Sequence, residues 1–105
     1  MTTFDPNSVK HADLHDAQEI AGKPDIAITL PDADELYSLE VGDYVKVGVG
    51  DYGKKGSEAF WVDLLAVGPL HMYGSVANVL KNTNYHGLQI DDILMIQRSN
   101  VLAIH

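Results

Sequence analysis

Read for the spacing of apolar and polar positions, the chain divides into a polar N-terminal third and a longer region of short alternating runs. The clearest run covers residues 58–78, EAFWVDLLAVGPLHMYGSVAN. Phe60, Val62, Leu64 and Ala66 alternate with Ala59, Trp61, Asp63 and Leu65, Gly68-Pro69 turns the chain, and residues 70–77 return, which predicts a β-hairpin. Strict alternation sends Phe60 and Trp61 to opposite faces. One aromatic therefore lies outside the main core, either beneath another element such as an N-terminal helix or exposed as an anchor for a partner.

Around this hairpin the remaining elements follow in order. Residues 1–4 are expected to be frayed, and Asp5-Pro6 reads as an N-cap followed by Pro at the first helical position, opening a helix over 5–21 that stops before Gly22-Lys23-Pro24. Val9, Ala17, Ile20 and Ala21 share its apolar side, with Asp13 and Asp16 intruding. Ile26, Ile28 and Leu30 alternate with Ala27 and Thr29 between Pro24-Asp25 and Pro31-Asp32, the pattern of a short edge strand. A Pro-preceded acidic stretch from Asp32 has room for one helical turn.

Two segments echo each other. LEVGDYVKV (39–47) and LQIDDILMI (88–96) each place an apolar anchor, a turn and an Asp before a strand. Gly42 and Asp91 can take the backbone angles of a tight turn, while Asp43 and Asp92 can bond the main chain at the strand start. Between them, residues 50–57 (GDYGKKGS) and 81–87 (KNTNYHG) read as exposed connections, and closing strands near 92–97 and 101–104 flank an Arg98-Ser99-Asn100 turn. The expected fold class is α+β: a β-rich core over 26–104 with an N-terminal helix, forming a small, strongly bent antiparallel sheet or an SH3-like, partly closed barrel.

Length and charge narrow the function. At 105 residues the chain is a single domain. Seven Lys and Arg against fifteen Asp and Glu leave a net charge of −8, which disfavours direct contact with nucleic acid and with anionic membranes, and suits a basic protein partner or plain solubility. There is no Cys, hence no disulfide, thiol nucleophile or thiolate metal site, as in a reducing cytoplasm. The start MTTFDPNSVK lacks a basic-then-apolar signal, and no run reaches the roughly 18 apolar residues of a membrane span.

The order VGDYVKV, a Gly-rich gap, E-x-FWV, G-x-V-x-N and GLQIDDI resembles a group of small bacterial proteins, the YegJ-like domain of unknown function, over residues 39–104. Val45, Lys46, Glu58, Trp61, Val62, Gly74, Val76, Asn78 and residues 87–93 carry the resemblance, with Asp91 standing where the group usually has Gly. The resemblance implies structural motifs and brings no reaction with it.

Few residues point to chemistry. On the expected helix His11, His15 and Glu19 fall at i, i+4 and i+8, a spacing that could bracket a divalent ion or simply make a solvated face. His71, Tyr73, Asn78, Asn84, Tyr85 and His86 form a polar, aromatic group able to hydrogen-bond a ligand or partner together with Trp61, against the plainer reading of a polar loop. Ser57, Ser75 and Ser99 lack a nucleophile elbow, and the glycines form no phosphate loop. These features imply no cofactor and favour a non-catalytic binding or protein-interaction module, such as an inhibitor or immunity-type accessory protein. The alternative is a small-ligand-binding or metal-dependent enzyme using histidines of the helix or of residues 71–86. Oligomeric state is left open.

Overall fold

The computed structural model describes residues 6–105; the expected fraying of 1–4 and the Asp5 cap lie outside the described residues. Six strands form one sheet: β1 Val9–Lys10, β2 Tyr44–Val49, β3 Glu58–Val67, β4 Met72–Val76, β5 Ile93–Ile96 and β6 Ala103–Ile104. Their order is β1-β5-β4-β3-β2-β6, with β1 parallel to β5 and every other pair antiparallel. The α+β class holds. The sheet is open, however, with β1 and β6 at its two edges, so it does not close into a barrel and is not wholly antiparallel.

The hairpin forms as its pattern predicts. Val62 pairs with Val76 and Leu64 with Gly74, and a bulge at Leu65 shifts the register to Ala66–Tyr73 before the Gly68 N–H closes the turn on the His71 carbonyl at 3.0 Å. Phe60, Val62 and Leu64 are buried on the inner face with Val45, Val47, Met72, Val76, Leu94 and Ile96. Leu39, Leu80, Leu88 and Val101, from connections and turns, cover that face. Gly74 is required by close approach, because a Cβ there would sit 2.3 Å from Val62 Cγ1.

The two echoed segments fold as the same device. Gly42 and Asp91 both take positive φ, +96° and +72°. The Asp43 and Asp92 carboxylates each accept the N–H three residues earlier, from Glu40 and Gln89, at 2.9 Å. The Gly42 N–H donates to the Leu64 carbonyl and the Asp91 N–H to the Val76 carbonyl, so both turns are stitched to the central hairpin. Asp91 is the described non-glycine residue at positive φ. Replacing it with Gly should raise the unfolding free energy by about 1 kcal/mol by removing that strain, whereas Gly42→Ala, with open space around its Cβ, should cost about 1–2 kcal/mol from the backbone alone. Urea denaturation of the two variants checks both signs.

Two expectations need correction. The helix over 5–21 is absent: residues 6–8 form a 3₁₀ turn, Val9–Lys10 joins β5 as β1, Leu14 bridges Val49, and only Ala17–Ala21 is helical (α1). Asn, His and Asp are weak helix formers, so pairing with the sheet prevails until Asp16, whose carboxylate accepts the Gln18 and Glu19 N–H groups and starts α1. The strand expected over 26–30 is also absent, since alternation states which side chains would share a face and not whether a ladder partner arrives. The acidic stretch after Pro31 does form a helical turn, α2 (Ala33–Tyr37), closed by a reciprocal Asp32–Glu35 capping box. A further turn, α3 (Thr83–His86), lies within the connection 81–87.

Candidate functional site

Trp61 lies on the sheet face opposite the core, half-buried among strand neighbours. Its main-chain N–H donates to Asn78 Oδ1 and its carbonyl accepts from Ala77, both at 2.9 Å, which anchors the backbone on either side of the indole. Cross-strand Lys46 places its ammonium 5.9 Å from the indole centroid. His105 meets Trp61 edge-on at 5.9 Å and Tyr44 edge-on at 6.3 Å. Tyr44, Trp61, Ala77, Asn78 and His105 thus line an open cleft of about 310 Å³, and no described helical residue borders it. The N-terminal helix does not cover Trp61; α1 packs beside the 3₁₀ turn Arg98–Asn100 instead.

The polar residues of the return strand and the following loop do not form one site. His71 and Tyr73 bind each other, with the Tyr73 hydroxyl 3.2 Å from His71 Nε2 and the rings edge-on at 5.3 Å. Asn78 serves the Trp61 cleft. Asn84 is exposed on α3, and Tyr85 rests its ring over Gly56 with the Lys55 ammonium 5.8 Å from its centroid.

His86 belongs to a clamp that spacing along the chain does not reveal. Its side chain and that of Glu58 are 7% and 10% exposed, and Nε2 lies 2.9 Å from Glu58 Oε1. The Leu88 N–H donates to Nδ1 at 3.1 Å, so the neutral ring with its proton on Nε2 fits both contacts, and Nε2–H donates to the carboxylate. Glu58 also accepts the Lys81 N–H at 2.7 Å and the Asn82 N–H at 2.9 Å. Desolvation raises the Glu58 pKa, but the hydrogen bonds from His86 and from the Lys81 and Asn82 amides outweigh it, leaving the group below its ordinary value. With both ring nitrogens engaged, His86 works as a tie between the start of β3 and α3. Glu58 is distinguished in sequence only by its place in the E-x-FWV motif; its partner 28 positions on carries no signal there.

His11, His15 and Glu19 do not share a helix face, although all three border one cleft of about 550 Å³ with Asp13, Asp16, Asp51, Tyr85 and His86. His11 is exposed beside Asp13 at 3.3 Å. His15 is a brace: its ring fills the space where a Cβ on Gly48 would stand, its main-chain N–H donates to the Gly48 carbonyl at 2.8 Å, and its ring Nε2 bonds the Gly50 carbonyl. Among the described residues no three His, Asp or Glu side chains converge as a metal set. Among them, too, no helix is long and apolar enough to cross a membrane. No protein-family model, curated protein or solved structure matches this chain.

Proposed function

We propose that this protein is a non-catalytic binding module whose outer sheet face, centred on Trp61, receives a basic protein partner, in the manner of a cytoplasmic inhibitor or immunity-type accessory protein. The observation that carries the reading is the half-buried indole in an open aromatic cleft, its backbone held by the Asn78 and Ala77 bonds. Large, rigid aromatics of this kind supply most of the binding energy at protein interfaces. The net charge of −8 supports the choice of a basic partner, since opposite charge accelerates encounter and repels acidic competitors. The engagement of both His86 nitrogens in the Glu58 clamp supports a non-catalytic role, because the most buried acid–base pair in the site region is committed to structure. The YegJ-like resemblance remains part of the reading and supplies no activity.

The test is a capture experiment with wild type and Trp61→Ala. A protein retained by wild type alone is then purified and titrated directly. Loss of at least about tenfold in affinity on Trp61→Ala, with binding that weakens as salt rises, is the expected result. Equal affinity of the variant refutes the Trp61 face.

A second reading, a small-ligand or metal site, has one observation in its favour: the 550 Å³ cleft shared by His11, His15, Glu19 and His86. A thermal-shift series with divalent metals and nucleotides addresses it. Saturable stabilisation of about 2 kcal/mol or more by one compound favours this reading.

A further inference from the structure

Residues 25–31, DIAITLP, pose a question independent of the Trp61 face. They have the alternation and β-branched content of a strand, bounded by Pro24 and Pro31, yet they form no strand, helix or turn from Ile26 onward. Apart from Ile26, whose N–H donates to the Lys23 carbonyl, residues 26–30 make no hydrogen bond to any described residue. Ala27, Ile28 and Thr29 are exposed, Ile28 at 44%. Ile26 and Leu30 are half-buried, and Leu30 lines a cleft with Pro31, Leu36, Arg98 and Val101.

The far wall of that cleft, Arg98, Ser99 and Val101, belongs to the chain that leads into β6. β6 is the terminal strand, and the Leu102 and His105 N–H groups that donate to the Lys46 and Tyr44 carbonyls of β2 hold four residues of chain along this edge. Among the described residues, no strand lies on the side of β6 away from β2. Each molecule therefore carries a strand-like segment without a ladder and, across the cleft that Leu30 and Val101 both border, a short sheet edge without a neighbouring strand among the described residues.

We propose that residues 26–30 add to the β6 edge of a second copy of this chain, giving a twofold dimer by reciprocal strand exchange. A twofold interface requires one contiguous, self-complementary patch, and an unpaired strand adjoining an unpaired edge is such a patch. Main-chain hydrogen bonds supply the attraction, and the apolar side chains of Ile26 and Ile28 gain cover. Pro24 and Pro31 end the added strand after a few residues, so pairing closes at two copies without propagating into a fibre. Each copy bears −8, so association strengthens as salt rises, the opposite of the behaviour expected for a basic partner at Trp61.

Sedimentation velocity of the full chain from roughly 10 μM to 1 mM, at low and high salt, reads the dimer directly. Wild type should pass from monomer to dimer with concentration, more readily at high salt. Ile28→Pro removes an N–H that bonds no described residue and should remain monomeric with an unchanged thermal transition. Ile28→Lys provides a second variant with the backbone donor intact and should weaken the dimer at least about tenfold. Hydrogen exchange should show the amides of 27–30 becoming protected only as the dimer fills. A wild type monomeric across the whole range, a dimer indifferent to both variants, or amides already protected in the monomer would each overturn the proposal, the last by showing that the segment pairs within its own chain.

Discussion

Phe60→Ala should lower the unfolding free energy by about 3–5 kcal/mol, while Trp61→Ala, one residue on, should lower it by only about 1–2 kcal/mol. The two aromatics differ in what surrounds them. Phe60 is 1% exposed on the inner face, enclosed by the core, and truncation leaves a cavity that the packed strands on either side cannot collapse to fill. Trp61 is half-buried on the outer face, where water can occupy the space its indole leaves, and its backbone bonds to Asn78 and Ala77 survive the substitution. Denaturant melts of both variants give the comparison. A Trp61→Ala loss as large as that of Phe60→Ala would mean that the outer face is covered by structure, and the proposed docking surface would go with it.

The second large effect is expected at Glu58. Glu58→Ala removes the acceptor for three donors in a nearly closed site, the Lys81 and Asn82 amides and His86 Nε2–H, and should cost about 3 kcal/mol. Glu58→Gln keeps the shape and one acceptor oxygen but brings an NH₂ against a row of donors, so it should recover only part of that loss. The wild-type contribution also depends on pH. Because the folded pKa lies below the unfolded one, the carboxylate stabilises the fold fully above the unfolded glutamate value of about 4.3, and that stabilisation is lost as pH falls through the folded value. Stability measured from pH 7 down to pH 3 should therefore fall more steeply in wild type than in Glu58→Gln. Parallel curves would remove Glu58 from the account of acid sensitivity.

Much of the hairpin and of the two echoed turns could be read along the chain. Alternation about Trp61 placed Phe60 and Trp61 on opposite faces because the period of a strand is a property of the backbone itself. The pairs Gly42-Asp43 and Asp91-Asp92 announced turns because a positive φ and an Asp bonding back three residues are settled within four positions of chain. The candidate site was less legible. Of the residues singled out, Trp61 and Asn78 do meet in one cleft, whereas His71 pairs with Tyr73 and His86 with Glu58, and His15, proposed as a ligand for a metal, fills the space above Gly48.

Local order along the backbone was thus written in the residues themselves: which side chains share a face, where the chain reverses, and that Asp32 opens a helical turn. The assembled sheet settled everything that depends on a partner distant in the chain. Val9–Lys10 became a strand because β5 had an open side, residues 26–30 stayed unpaired because no strand came alongside, and Glu58 found His86 because β3 and α3 begin next to each other in space. Spacing within a few residues sets dihedral angles and faces; which edge meets which is an energy shared by the whole chain, and no single segment holds it.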